Sequence, residues 1–192
     1  ILKYIDSFNW NGPSYLEERK ILALYFYDKL PDKSVEILTN AATPLFTSGK
    51  YSSALELFLI LQDLQPDDIT IAKSIKDCYI KMKDYEGVIN LLVQESGGDL
   101  VNPQLLYDIG YYYILAGKHS EAITYLQKAL ELVPESCGIR IEIIKCYMAV
   151  SDCKSALELY SWMTENNCPV MDRLDAASEL GPCGIVPVIS GQ

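Results

Sequence analysis

Residues 105–134 read LLYDIGYYYILAGKHSEAITYLQKALELVP and contain two apolar patterns separated by a short break. Small and apolar residues recur three and four positions apart in both patterns: Leu106, Ile109, Gly110 and Tyr113, then Ala122, Leu126 and Ala129. This spacing is typical of amphipathic helices. Gly117 and Lys118 separate them, and Asn102 followed by Pro103 places a capping side chain before the first. The stretch therefore predicts a pair of helices.

The same pattern returns with a period of 34 residues. The small residue of the second helix recurs at Ala54, Val88, Ala122 and Ala156. Three positions earlier stand Tyr51, Tyr85, His119 and Cys153, and four positions later stand Phe58, Leu92, Leu126 and Tyr160. Such a period over about residues 35–170, without insertion, predicts a repeat fold in which each unit packs against its neighbours.

The third unit resembles a tetratricopeptide repeat through Leu106, Gly110, Tyr113, Ala122 and Pro134. The first unit keeps much of this pattern, and the fourth departs from it at Arg140. The second departs most, at Lys76, Lys83, Val88 and Gly97-Gly98. The resemblance implies an all-α fold, a right-handed superhelix of stacked antiparallel helix pairs (a TPR-like α-solenoid), with about four repeats and capping helices.

The period predicts a division of the chain into six segments. Residues 1–34 are expected to form N-terminal capping helices or a degenerate repeat, with a helix over 14–30 that starts in a capping box from Ser14 to Glu17. The four repeats are predicted at 35–68, 69–102, 103–136 and 137–170, followed by a capping helix and tail at 171–192. Pro44 is expected inside the first helix of the first repeat, where proline bends a helix.

Composition and charge exclude several classes of function. The 192 residues include 16 Lys and Arg against 26 Asp and Glu, a formal net charge of −10, which disfavours nucleic acid or an anionic membrane as the main partner. No apolar run approaches the ~18 residues that a membrane span needs, so no membrane insertion is expected. The only histidine is His119, and no catalytic set or phosphate loop is visible. We therefore expect no enzyme activity and no cofactor or metal.

The six cysteines do not form C-x-x-C pairs, and Cys78 and Cys146 fall at one equivalent repeat position, as small packing residues would. We expect reduced, buried thiols in a cytoplasmic protein; disulfides in a secreted protein are the alternative. The chain begins at Ile1 rather than Met, so we expect either part of a longer protein or the product of leader removal.

In tetratricopeptide repeat proteins, the first helix of each pair lines a concave groove. By resemblance, equivalent positions in this chain form the candidate groove: Thr39, Thr43, Phe46, Lys73, Asp77, Lys81, Tyr107, Tyr111, Ile114, Lys145 and Met148. Such a surface suits a peptide or a helix with apolar anchors. The alternative is that some of these side chains, above all Ile114 and Met148, pack against the adjacent repeat.

The leading functional hypothesis is a non-catalytic scaffold that binds a partner protein or peptide, as part of a larger TPR protein or complex. Self-association through the repeat ends is a further expectation. Some family members bind C-terminal carboxylates of chaperones through Lys, Asn and Arg. Here Thr39 and Thr43 occupy two of those positions, and the second repeat has Lys73 but also Asp77, whose charge disfavours that ligand. The runner-up is a chaperone for a translocator protein, because Tyr51, Ala54 and Phe58 lie in a stretch similar to the first repeat of type III secretion chaperones.

Overall fold

The computed structural model describes residues 16–27, 29–96 and 101–185, and no strand occurs among them. The helices are α1 (Leu16–Phe26), α2 (Pro31–Thr47), α3 (Tyr51–Leu64), α4 (Ile69–Met82), α5 (Tyr85–Glu95), α6 (Pro103–Leu115), α7 (His119–Leu132), α8 (Cys137–Ala149), α9 (Cys153–Glu165) and α10 (Val170–Glu179), followed by a 3-10 turn (Gly181–Cys183). The all-α, TPR-like fold is confirmed. The sequence also predicts a short helix that contains Tyr4 and Trp10. This helix, the cap at Ser14, the ending at Gly97-Gly98 and the tail 186–192 lie outside the described residues.

The described residues form two compact units, one ending at Asp84 and the other beginning at Tyr85. In the first unit, α1 packs against α2, α2 against α3, and α3 against α4. In the second, α5 to α10 pack in the same sequential way, and α10 also contacts α8. Among the described helices, none is both long and apolar enough to cross a membrane.

The helix starts follow the 34-residue period. The second helices begin at Tyr51, Tyr85, His119 and Cys153, and three of the first helices begin at Ile69, Pro103 and Cys137. The first helix of the first repeat departs from this register, because α2 starts at Pro31 rather than near residue 35. Proline is well suited to the first turn of a helix and disfavours helical backbone at Leu30 before it. The predicted helix over 14–30 therefore ends earlier, at Phe26.

The turn inside each repeat uses one left-handed residue at the same position. The φ angles are +80° at Gly49, +58° at Lys83, +74° at Gly117 and +62° at Ser151. Glycine adopts this conformation without a steric cost, as Gly49 and Gly117 do here. Lys83 and Ser151 adopt it with a Cβ, so the repeat geometry holds these two residues against their own backbone preference.

Three of the first helices begin with a side-chain cap, including the one predicted at Asn102. Asp68 Oδ1 accepts a hydrogen bond from the backbone N–H of Thr70 (2.7 Å), and Asn102 Oδ1 accepts one from Gln104 (2.9 Å). Ser136 Oγ accepts one from the N–H of Ile139 (3.3 Å). Because each cap satisfies an otherwise unpaired N–H, these side chains fix where the first helices begin.

Small buried residues hold the helix pairs together. Ala54, Val88, Ala122 and Ala156 are fully buried, as their equivalent positions predict. Arg140, which departs from the family pattern, is also buried. Its guanidinium lies over the Trp162 ring, and Nη1 donates to the carbonyl of Ser136 (3.1 Å). The repeat thus accommodates a cation where a leucine or an aromatic residue is usual. Pro44 lies inside α2, as predicted.

The expectation of reduced thiols is wrong for four cysteines. Disulfides join Cys137 to Cys168 and Cys153 to Cys183. The fold brings these pairs within Cα–Cα distances of 6.0 and 5.7 Å, although they lie 31 and 30 residues apart in the chain, so no local spacing signals them. Cys78 and Cys146 are free and buried, which confirms their interpretation as packing residues.

Candidate partner-binding groove

Two cavities open between the first helices of successive repeats. The first cavity, of about 320 Å³, lies in the first unit between α2 and α4, with α3 behind it. The second cavity, of about 590 Å³, lies in the second unit between α6 and α8, and Asp175 of α10 also lines it. Both volumes are in the range of small-ligand and peptide side-chain pockets.

The two cavities occupy the same position in the repeat. Eight lining residues of the first have a counterpart 68 residues later, or two periods, in the second: Val35 and Pro103, Thr39 and Tyr107, Gln65 and Val133, Asp68 and Ser136, Thr70 and Gly138, Ile71 and Ile139, Ser74 and Glu142, Asp77 and Lys145. Such a correspondence is not expected of accidental surface depressions. The helix pairing itself therefore builds each cavity.

The first cavity has an apolar floor and a polar rim. Phe46, Phe58, Leu61 and Ile71 supply the apolar surface, and the last three are buried. Asp68 lies at the rim, where the N–H groups of α4 that it caps hold the pKa of its carboxyl below the usual range. This carboxylate is therefore ionised at neutral pH.

Side-chain oxygens supply much of the rest of the rim of the first cavity. Thr43 Oγ1 donates to the carbonyl of Thr39 (3.0 Å), and Ser74 Oγ donates to the carbonyl of Thr70 (2.9 Å). Asp77 completes the rim on the side of α4. The hydroxyl protons are thus used within the helices, and the oxygens are left as acceptors.

The second cavity combines an aromatic side chain with an ion pair. Tyr107 is half-buried. Its burial, and to a smaller extent the charge of Glu142, raise the pKa of its hydroxyl, which stays protonated. Lys145 Nζ lies 2.9 Å from Glu142 Oε1. Burial alone would lower the pKa of Lys145, but the hydrogen bond to Glu142 leaves this pKa raised, so the pair is charged. Ile141 contributes buried apolar surface beside them.

Six of the predicted groove residues line a cavity: Thr39, Thr43, Phe46, Asp77, Tyr107 and Lys145. Lys73 and Lys81 are exposed outside the first cavity. Tyr111 is 43% exposed and lies against the edge of Tyr112.

Ile114 and Met148 lie against the core of the second unit. The sulfur of Met148 is 3.2 Å from Cys183 Sγ. These two side chains therefore adopt the packing arrangement that was the alternative to a groove position.

Sequence reasoning missed Ser74, Glu142 and Asp175. A signal for Ser74 was available, because Thr70, Ser74 and Asp77 follow one another at i, i+4 and i+7 and share one face of α4. In the second cavity, Glu142 likewise lies four residues after Gly138, on the same face of α8. Asp175 had no such signal, because its helix was treated only as a cap.

His119 lies at the start of α7, where it is half-buried and its Nδ1 is buried without a hydrogen-bond partner. In the described part of the chain, no three His, Cys, Asp or Glu side chains come together in a metal-binding arrangement.

Residues 103–136 match the family model of the tetratricopeptide repeat, which confirms the resemblance for this unit. No curated protein matches the chain significantly. Solved structures of MamA share the fold. One aligns with a TM-score of 0.53 at 14% identity and covers 75% of this chain and 85% of its own. MamA MSR-1 aligns with a TM-score of 0.50 at 20% identity, over 80% of this chain and 91% of its own. MamA from Desulfovibrio magneticus RS-1 aligns with a TM-score of 0.48 at 17% identity, over 81% of this chain and 96% of its own.

Proposed function

We propose that this TPR-like helical-repeat chain is a non-catalytic scaffold that binds a peptide or helix of a partner protein along the first helices of its repeats. The observation that carries the proposal is the pair of cavities at equivalent repeat positions. Each has an apolar floor for an anchoring side chain and polar groups at its rim. A protein-interaction role is also the general role of tetratricopeptide repeats, and we propose that the scaffold works within a larger protein or complex.

The proposed contact residues are those that line the cavities: Thr39, Thr43, Phe46 and Asp77 in the first, and Tyr107 and Lys145 in the second. Tyr111 adds an exposed aromatic edge one turn beyond Tyr107. The carboxylate-clamp ligand remains disfavoured, because Asp77 would repel it and no Lys, Arg or His lines the first cavity among the described residues. No described feature favours the secretion-chaperone alternative.

The proposal is tested with peptides selected on the immobilised protein from a displayed library of random dodecapeptides. Tyr107→Ala removes the anchor surface of the second cavity and should weaken the peptides bound there by roughly 5- to 30-fold. Thr43→Arg fills the first cavity from an exposed site and should do the same there. Tyr125→Ala is the matched control, because this tyrosine stacks on Tyr113 outside both cavities.

Circular dichroism confirms that each variant remains helical, and fluorescence anisotropy gives the affinities. If no peptide is selected, or if both cavity variants bind the peptides as well as the wild type does, the groove proposal is wrong.

The disulfides bear on the compartment. A cytoplasmic location was expected, but cytoplasmic proteins rarely keep structural disulfides, so we propose an oxidising compartment instead. The native protein should be extracted with an alkylating agent and without reductant, then analysed by peptide mass spectrometry. Under denaturation, only Cys78 and Cys146 should be alkylated. Alkylation of Cys137 and Cys153 as well would support the cytoplasm.

A further inference from the structure

Several hydrogen-bond acceptors line the first cavity. The hydroxyls of Thr43 and Ser74 already donate to backbone carbonyls of their own helices, so each presents only lone pairs to a ligand. Asp68 Oδ1 accepts both backbone capping bonds, which leaves the carboxylate further acceptor capacity. Asp77 makes no ion pair or hydrogen bond within the described residues. A ligand that supplies donors would satisfy all of these groups.

The charge of the first cavity has the same sign throughout. Asp68 and Asp77 are its ionisable residues, and both are half-buried. In the second cavity the counterpart of Asp77 is Lys145, whose charge is compensated by Glu142. The first cavity has no such internal partner, so its negative potential is available to a ligand.

We infer that the first cavity binds a basic side chain, Arg or Lys, of the partner peptide. The inference rests on the proposed groove function and deepens it. The methylene stem would lie against Phe46 and Ile71 on the floor, and the cationic head would stay at the rim, in the negative potential of Asp68 and Asp77. Arg and Lys suit such a place because they bury an apolar stem while the charged end stays at a polar rim.

The chain offers variants that remove the charge with little change of shape. Asn is as good an N-cap as Asp, so Asp68→Asn keeps the start of α4 while it removes one charge, and Asp77→Asn removes the other. The matched control is Asp63→Asn with Asp67→Asn. It changes the net charge equally, at exposed residues that do not line the cavity.

The experiment uses the random dodecapeptide library and the full chain. Peptides are selected on the wild type, and those that no longer bind the Thr43→Arg variant are kept. At one position, these peptides should be enriched in Arg and Lys relative to the unselected library. Asp68→Asn with Asp77→Asn should weaken a synthetic peptide of this class by about tenfold, and the control double variant should bind it as the wild type does. Replacing the basic residue of that peptide by Gln should weaken its binding to the wild type by about the same tenfold factor. The same replacement should change its binding to the Asp68→Asn, Asp77→Asn variant little.

Three results would overturn the inference. If peptides bind in a manner that depends on Thr43 but carry no basic enrichment, the inference fails while the groove function stands. If the control double variant loses as much affinity as the cavity variant, the effect is one of overall charge and the inference also fails. If no peptide binds at all, the groove function fails and the inference fails with it. Asp77→Asn alone, which leaves the cap of α4 untouched, replaces the double variant if circular dichroism shows that the latter has unfolded.

Discussion

Gly110 lies where α6 and α7 approach each other most tightly, and Gly110→Ala should destabilise the second unit. A Cβ at this position would stand 2.7 Å from Leu126 Cγ, 2.9 Å from Leu126 Cδ2 and 3.4 Å from the carbonyl oxygen of Ala122. Non-bonded carbons prefer separations of about 3.5–4.0 Å, so Leu126 would have to move by about 1 Å. Leu126 is 0% exposed in a cluster with Leu106 and Ile143, which leaves it little room.

The expected magnitude follows from two opposing terms. Overpacking of a filled core costs about 1–3 kcal/mol, whereas Ala gains up to about 1 kcal/mol over Gly inside a helix. The net loss at Gly110 is therefore about 0–2 kcal/mol. At Gly138, near the start of α8, a Cβ would meet no atom within 4 Å, so only the gain applies. The difference between the two variants isolates the overpacking term, about 1–3 kcal/mol.

The measurement is urea unfolding of wild type, Gly110→Ala and Gly138→Ala, followed by circular dichroism, with amide hydrogen exchange in α6 and α7 as a local readout. Adding Leu126→Val, which removes a methylene from the obstructing side chain, should cost less in the Gly110→Ala background than in the wild type. A Gly110→Ala variant as stable as Gly138→Ala would show that the helices do not approach closely here, and the packing argument would be refuted.

Two further predictions concern the left-handed position of each repeat. Lys83→Gly and Ser151→Gly should each stabilise the fold by about 0.5–1 kcal/mol, because they relieve a Cβ from φ angles of +58° and +62°. A loss of stability in urea unfolding would show that these side chains contribute more than their strain costs. Conversely, Gly49→Ala and Gly117→Ala should each lose about 1 kcal/mol, although a Cβ at either site would meet no atom within 4 Å. Wild-type stability for both would contradict the assigned backbone conformation.

Most of the fold could be predicted because its determinants recur along the chain. Ala54, Ala122 and Ala156 are buried because they occupy the same position of the repeat. Since they recur every 34 residues, the assignment of one supports the assignment of the others. Caps such as Asn102 and Ser136 were predictable because an oxygen side chain before a helical pattern has one clear role. The early start of α2 could not be predicted from the period. Pro31 favours a helix start at its own position, four residues before the start that the period predicts.

The disulfides show where a repeat pattern stops being informative. Cys137 and Cys153 stand at the starts of α8 and α9, and their partners Cys168 and Cys183 flank α10 on either side. That helix lies at the end of the repeat array, so no earlier unit supplies a comparable pair. The pairing depends on how α10 packs on α8 and α9, which is tertiary information. From the sequence, buried thiols were the better supported interpretation, and it was wrong for four of the six cysteines.

The candidate site was predicted in position but not in chemistry, and the reason lies in which residues folding constrains. Ile71 and Ile139 form equivalent parts of the two cavity floors and are the same residue type, because each is buried against its own repeat. At the rims, Asp77 and Lys145 are equivalent in position but opposite in charge, and Thr39 corresponds to Tyr107. Rim side chains contribute little to the core, so the period does not constrain their type. If the cavities bind a partner as proposed, the differences at equivalent rim positions should make each cavity select a different kind of side chain.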